Sequence, residues 1–100
     1  MAEKRALILH PKDNVASVME EVSSGDDVML QGGSATLLLQ AVEKIPFGFK
    51  MATVDIRQGD TVIKYGEVIG TASKDIQKGA LVHIHNIEGA RGRGDLQQNG

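Results

Sequence analysis

Hydrophobic and polar positions along this chain follow a short recurring unit: an aliphatic residue, two variable residues, a glycine, two variable residues and a valine. The unit occurs within residues 22–28, 55–62 and 75–82. A glycine among polar residues permits the positive backbone angle that a tight turn requires, and the following valine begins an extended segment. The unit therefore predicts three turns, each followed by a strand.

The segment after the first predicted strand, residues 6–9, has a different spacing. His10 and Pro11 end that strand, and apolar residues then recur at helical intervals at Val15, Val18, Met19 and Val22. Asp13 or Asn14 would serve as the helix N-cap, with Gly25 as the terminator. This pattern predicts one short helix.

The rest of the chain favours strands. Residues 28–30 are apolar, and residues 35–45 suit either a helix or a strand, with a strand favoured by their place between glycine turns. From Ile45 onward, one proline and several glycines divide the chain into extended pieces of about four to eight residues. The fold class expected is mainly β with one short helix, a small irregular β-barrel or β-clip.

Composition narrows the range of functions. A chain of 100 residues can build one core, and its 41% hydrophobic content includes only three aromatic residues. The absence of cysteine excludes disulfides and thiolate metal sites, and a net charge of −2 with scattered basic residues makes nucleic acid a poor partner. No run approaches the roughly 18 apolar residues of a membrane helix. We expect a cytoplasmic protein.

Two parts of unequal length follow from this pattern. Residues 1–88 are expected to form the domain. Residues 89–100 are rich in glycine and polar side chains and have little to bury, so they are expected to form a flexible tail or connector.

The motifs between residues 45 and 86, taken in order, resemble a known family. They are Ile-Pro-Phe-Gly-Phe-Lys at 45–50, Lys-Tyr-Gly-Glu-Val-Ile-Gly at 64–70 and Val-His-Ile-His-Asn at 82–86. This combination resembles the SAF domain. More narrowly, it is similar to the small N-terminal module of the altronate and galactarate dehydratases and to the small subunit of sulfolactate sulfo-lyase. The likeness begins near residues 10–16 and runs through the Arg-Gly-Arg-Gly segment at 91–94.

The resemblance implies a β-clip fold and a role beside a much larger subunit or domain, which removes water or sulfite from a sugar acid or a sulfolactate-like substrate. It also implies iron or another divalent cation in the complete enzyme. One position departs from the family pattern, which commonly has Gly-His-Lys where this chain has Phe49 between Gly48 and Lys50. An imidazole that could titrate or bind metal is thereby replaced by a hydrocarbon ring.

Three side chains are candidates for the chemistry of such an elimination, which needs a base for the proton next to a carboxylate and an acid or metal for the leaving group. His83 and His85 are expected on one strand, where residues two apart share a face and could clamp a metal ion. The alternative is that both lie on a solvated strand face. Lys50 could hold a substrate carboxylate or could be an ordinary surface lysine.

Three further residues are candidates for substrate binding, each with a structural alternative. Tyr65 could present its hydroxyl to a ligand or cover the edge of the core. Asn86 could bind substrate or hold its own loop. His10 could act at the site or lie exposed in a loop. Asp55 and Asp75 resemble an acid–base pair, but their equivalent positions in the repeated turn explain them better.

Two functions from different classes follow. The first is the small subunit or domain of a sugar-acid dehydratase or related sulfo-lyase, completing or supporting the active site of a large subunit and inactive alone. The alternative is a non-catalytic SAF module that binds a carbohydrate or a protein partner. Homo-oligomerisation through an edge strand remains open.

Overall fold

The computed structural model describes residues 4–32 and 37–89, and these residues form nine strands in two sheets. The strands are β1 (Lys4–Leu7), β2 (Val15–Val18), β3 (Asp27–Gln31), β4 (Leu37–Gln40), β5 (Lys50–Ala52), β6 (Thr61–Lys64), β7 (Glu67–Ala72), β8 (Leu81–Val82) and β9 (Ile87–Gly89). The larger sheet has the order β4-β3-β1-β2-β5-β8, and the smaller has the order β6-β7-β9. The mainly β fold class is confirmed.

Two hydrophobic clusters lie on opposite faces of β2 and β5. Ala16 and Met51 face each other across these strands and belong to the first cluster, whereas Val15 and Ala52 pair in the second. The smaller sheet closes the second cluster with Val62 of β6 and Ala72 of β7. Because side chains alternate along a strand, β2 and β5 contribute to both clusters at once.

The repeated turn occurs four times in the described residues, one more than the sequence pattern indicated. Its glycines are Gly25, Gly48, Gly59 and Gly79, with φ of 91°, 84°, 93° and 90°. The additional unit spans residues 45–51, where methionine replaces the valine that ends the other three. The aliphatic residue that opens each unit is buried: Val22, Ile45, Ile56 and Ile76. Buried aliphatics and left-handed glycines therefore define one turn frame.

These turns are joined in two pairs by short backbone bridges. Val22 and Ile45 exchange two hydrogen bonds of 2.9 and 2.8 Å. Ile56 and Ile76 exchange two of 2.8 and 2.7 Å. The first pair packs in the first cluster and the second pair in the second cluster, so each half of the core has a pair of linked turns.

The predicted helix is wrong. Val15–Val18 is strand β2, and Val22 belongs to the first turn unit. A strand buried on both faces has apolar residues in adjacent positions, and here that run imitated helical spacing. Asp13 and Asn14, expected to cap a helix, instead bond to the β6–β7 hairpin.

Two other expectations concern residues 35–45 and the segment from residue 89 onward. The strand favoured within residues 35–45 is confirmed for β4, which is an edge of the larger sheet. The segment expected to be a flexible connector includes Gly89, the last residue of β9, but from residue 90 onward lies outside the described residues. Within the described ranges, no helix is long and apolar enough to cross a membrane.

Candidate functional site

Lys50 begins β5 and lies directly opposite Ser17 on one side and Val82 on the other. Val82 belongs to the second cluster, as does Ala52 two residues further along β5, so Lys50 lies at the margin of that cluster. Burial, and secondarily the charge of Lys64, hold the pKa of the Lys50 ammonium below its ordinary value of 10.5. Lys50 is therefore a half-buried cation with a second cation nearby.

Lys64 ends β6 and precedes a two-residue hairpin turn formed by Tyr65 and Gly66. Both turn residues have positive φ, 57° for Tyr65 and 75° for Gly66, which is typical of a type I′ turn. The Lys64 ammonium lies 4.8 Å from the centre of the Tyr65 ring, and that ring is 55% exposed. A tyrosine is uncommon in this strained conformation, so its placement here is a candidate functional feature.

His10 and the two residues at positions 13 and 14 attach this hairpin to the larger sheet. The His10 imidazole packs so closely on Gly66 that a Cβ at that position would contact the ring at 2.7 Å. The Asp13 carboxylate accepts a hydrogen bond of 2.8 Å from the Gly66 N–H, and the Asn14 amide oxygen accepts one of 2.8 Å from the Ile63 N–H. The hairpin tip is therefore fixed beside His10.

We call the set of Lys50, Lys64, Tyr65 and His10 the basic face. Three of its members lie at the hairpin, where the Lys64 ammonium covers the Tyr65 ring and the His10 ring contacts Gly66. Lys50 is included because the charge of Lys64 lowers its pKa. Three of the four were candidates from sequence. Lys64 was missed as a site residue, because no local pattern shows that residues of two different sheets meet.

His83 lies next to Phe49, and the centres of the two rings are 4.7 Å apart with a 50° tilt between their planes. Phe49 packs against the first cluster, whereas its neighbour Lys50 borders the second. Since successive residues of a strand point to opposite faces, His83 and Lys50 lie on different sides of β5. The structure separates these two candidates.

Asn86 is 5% exposed and holds the turn that carries His83. Its side-chain oxygen accepts a hydrogen bond of 2.9 Å from the His83 N–H, and its amide nitrogen donates one of 2.8 Å to the Leu81 carbonyl. This is the loop-holding arrangement weighed for Asn86 from sequence. Direct substrate binding by Asn86 remains a prediction, with both side-chain polar atoms already bonded in the turn.

The placement of His83 and His85 on one strand is wrong. Strand β8 ends at Val82, and residues 83–86 form a turn closed by a hydrogen bond of 3.0 Å from the Asn86 N–H to the His83 carbonyl. The side chain of Asn86 drives this change, since it bonds the backbone on both sides of the turn. His83 is half-buried and His85 is exposed.

A divalent metal was expected in the complete enzyme, with His83 and His85 as ligands. Across residues 4–32 and 37–89, no three histidine, aspartate or glutamate side chains converge as a metal site requires. The donor set described in this chain therefore does not fit a complete metal centre. Metal binding by the two histidines remains a prediction.

Asp55 and Asp75 line an open surface depression of about 430 Å³ over the second turn pair. Each carboxylate bonds to the backbone of the other turn: Asp55 accepts from the Lys78 N–H at 2.8 Å, and Asp75 accepts from the Gln58 N–H at 2.8 Å. This reciprocal capping agrees with the structural explanation given to the pair from sequence, and the two carboxylates form no acid–base site.

The sequence that forms this all-β frame matches a known family. The model of the altronate/galactarate dehydratase SAF domain matches residues 4–90, a range that includes all of the described residues. The chain belongs to this family. The resemblance inferred from the motifs is thereby confirmed, and the basic face and the His83 turn lie within the part of this chain that matches the SAF domain.

Curated relatives of this SAF domain fall into two kinds. The subunit alpha of a (2R)-sulfolactate sulfo-lyase from Chromohalobacter salexigens is 34% identical over 90 residues, which cover 84% of this chain and 94% of that protein. Altronate dehydratases from Bacillus subtilis and Escherichia coli are 32% and 38% identical over 85 and 78 residues. This chain spans only 16% and 15% of their lengths.

Proposed function

We propose that this SAF domain is the small subunit or domain of a lyase that removes water or sulfite from a hydroxy acid, and that it completes the active site of a larger catalytic part. One observation carries the proposal: the same unit aligns with nearly all of a sulfo-lyase subunit alpha and with about one sixth of the altronate dehydratases. A unit found in both settings fits a domain that works beside a larger one.

The basic face supplies groups suited to an acidic substrate of the sugar-acid or sulfolactate type. Lys50 is half-buried, and this burial lowers the pKa of its ammonium, so it gives up its proton more readily than an ordinary lysine. A neutral amine can accept the proton next to a carboxylate, and an ammonium can stabilise the resulting negative charge. Tyr65 and His10 lie beside Lys64 and Gly66 at the hairpin tip, where they could bind substrate hydroxyl groups.

The His83 turn offers a second group for proton transfer. The His83 ring contacts the Phe49 ring, and the His83 N–H donates a hydrogen bond to the Asn86 side-chain oxygen. These two interactions restrain the position of the imidazole. A protonated imidazole can donate its proton to a leaving hydroxyl group. His85 lies in the same turn, but its side chain is exposed and therefore less restrained by packing than that of His83. We therefore rank His83 ahead of His85.

A divalent cation such as iron remains part of the proposal for the complete enzyme, where it would polarise the substrate carboxylate or the leaving hydroxyl group. The described residues do not assemble its ligands, so the roles given above to Lys50 and His83 stand without it.

The test is reconstitution with the large subunit, followed by an assay of water release from altronate or galactarate and of sulfite release from sulfolactate. We expect no turnover by this chain alone and turnover when both parts are mixed. In the mixture, His83→Ala and Lys50→Gln should each lower turnover at least tenfold. The exposed Lys74→Gln should leave it unchanged. Turnover by the isolated chain would contradict the proposal.

The alternative, a non-catalytic interaction module, draws support from two exposed apolar side chains. Phe47 is 67% exposed and Ile84 is 80% exposed, and they lie in the two turns that contact each other through Phe49 and His83. Large apolar side chains in such turns are typical of a surface that a protein partner covers. If the mixture requires this chain but tolerates the Lys50 and His83 variants, the interaction role is favoured.

A further inference from the structure

The first part of strand β4 is an open edge of the larger sheet. β4 is the outermost strand and pairs only with β3. Ala41, which follows β4, donates a hydrogen bond of 2.9 Å to the Asp26 carbonyl just before β3. Backbone groups of alternate residues point to opposite sides of a strand, so Leu39 also bonds toward β3 and Leu38 faces away from it. The Leu38 N–H and C=O therefore point outward from the sheet.

Neither of these two Leu38 groups has a hydrogen-bond partner within residues 4–32 and 37–89. The outward groups further along are covered by the turn at Gly79. The Val42 N–H donates a hydrogen bond of 3.0 Å to the Gly79 carbonyl, and a Cβ at Gly79 would collide with the Gln40 carbonyl oxygen. This turn closes the end of β4 and leaves its beginning open. Unpaired N–H and C=O groups at a sheet edge are a template for another strand.

Two other edge strands, β8 and β6, show how this chain closes an edge. At β8, the Leu81 N–H donates a hydrogen bond of 3.0 Å to the Glu43 carboxylate, and the Leu81 carbonyl accepts one of 2.8 Å from the Asn86 amide. At β6, the Ile63 N–H donates to the Asn14 side-chain oxygen at 2.8 Å, and the Ile63 carbonyl accepts from the Asn14 N–H at 3.2 Å. Both edges are thereby closed to a further strand.

The side chains of β4 also leave its edge unprotected. Leu37 and Leu38 are 59% and 52% exposed, and residues 37–42 contain no charged side chain. The remaining edge strand, β9, differs because the exposed carboxylate of Glu88 lies at its centre, and a charge at an edge opposes strand addition. A strand added to β4 would cover leucine without burying a charge.

We propose that β4 pairs with β4 of a second copy of this chain, antiparallel and about a two-fold axis, so that the larger sheet continues from one copy into the other. A second copy fits because its other described edges are closed or charged, which leaves its β4 as the matching edge. The two identical surfaces meet without charge repulsion, since residues 37–42 are uncharged and each chain has a net charge of only −2. Two-fold association of identical surfaces is the commonest kind in soluble oligomers. The free edge is short, so we expect a weak dimer.

Sedimentation of the full chain from micromolar to millimolar concentration measures the association. We expect a monomer–dimer equilibrium. Hydrogen exchange at the Leu38 N–H should slow as the dimer forms, whereas exchange at the Leu39 N–H, which faces β3, should be slow at every concentration. A monomer throughout, or a dimer in which exchange at Leu38 is unchanged, would refute the proposal. Protection of Leu38 only after mixing with the large catalytic part would also overturn it, because that part would then cover the edge.

Two substitutions at Leu38 make the assignment specific. Leu38→Pro removes the outward N–H without removing a hydrogen bond to β3, and Leu38→Lys places a charge at the edge. Because the two-fold axis doubles each change, each should raise the dimer dissociation constant about tenfold or more. Val68→Lys is the matched control and should dimerise like the natural chain, because Val68 is 49% exposed on β7, the central strand of the smaller sheet. Equal dimerisation by the Leu38 variants and the natural chain would refute the site. If Leu38→Pro fails to fold, Leu38→Lys decides the question.

Discussion

The two turn pairs share one backbone design and differ in the side chains around it. In the second pair, Asp55 and Asp75 cap each other's turns through hydrogen bonds of 2.8 Å to backbone N–H groups. In the first pair, the equivalent positions hold Glu21 and Lys44, whose exposed side chains form an ion pair of 2.9 Å. The frame depends on glycines and buried aliphatics, and the polar positions around it are free to differ.

The position after each turn glycine sharpens this contrast. In two units it holds an aspartate, Asp26 or Asp60, whose carboxylate bonds back to the first N–H of its own turn. In the unit at residues 45–51 it holds Phe49, which instead contacts His83. The position after the glycine therefore contacts a candidate site residue in this unit, whereas Asp26 and Asp60 stabilise their own turns.

The largest expected effect comes from the glycine that sets the frame. Gly59 and Gly79 have nearly equal φ, yet an added Cβ would meet nothing within 4 Å at Gly59 and would collide with the Gln40 backbone oxygen at Gly79. We expect Gly59→Ala to cost about 1–2 kcal/mol, from backbone strain alone, and Gly79→Ala about 2–5 kcal/mol, from strain and overpacking together. Urea unfolding of both variants measures the difference, and equal costs would contradict the contact.

The next effect concerns the turn that reaches His83. Phe49→Ala removes a half-buried ring from the first cluster and from His83, so we expect a loss of about 1–2 kcal/mol of unfolding free energy. Phe47, two residues earlier and 67% exposed, provides the matched control, and its replacement by Ala should change the stability by less than about 0.5 kcal/mol.

The same pair of variants also tests whether Phe49 positions the His83 turn. Hydrogen exchange at the His83 N–H, which bonds to Asn86, should accelerate in Phe49→Ala and remain unchanged in Phe47→Ala. If exchange is equally fast in both, the ring contact does not restrain the turn.

A smaller effect is expected where the two pairs differ in capping. Asp75→Ala leaves the Gln58 N–H without its acceptor and should cost about 1 kcal/mol, while turnover of the reconstituted enzyme stays unchanged. The exposed Asp27→Ala is the control and should leave stability within about 0.5 kcal/mol. If Asp75→Ala loses turnover without losing stability, Asp75 acts in the reaction and is more than a turn cap.

Sequence reasoning found the fold class because the repeated turn is a local signal, carried by a glycine and two aliphatics a few residues apart. It missed the unit at residues 45–51, where methionine stands in place of the final valine. It also mistook β2 for a helix, because burial on both faces removes the alternation that identifies a strand. These errors arise from tertiary packing, which no local pattern contains.

The candidate site was predicted less completely for the same reason. Lys50, Tyr65 and His10 were chosen by motif, and the structure places Tyr65 and His10 at the hairpin that Asn14, a residue expected to cap a helix, attaches to the larger sheet. The separation of His83 from Lys50 follows from the register of β5 and β8, which the sequence does not specify.

The smallest expected effect is a pH dependence that arises from Lys50 on the basic face. The pKa of Lys50 is lowered in the folded chain, first by burial and then by Lys64, so between that lowered value and 10.5 the unfolded chain binds more protons. Folding stability must therefore rise with pH in this window. Relative to Lys50→Gln, the natural chain should gain unfolding free energy from neutral pH toward 10.5, and the gain should shrink in a Lys64→Gln background. Urea unfolding across that range measures it, with Lys78→Gln as control, and a pH-independent difference would show that Lys50 is as well solvated as an ordinary surface lysine.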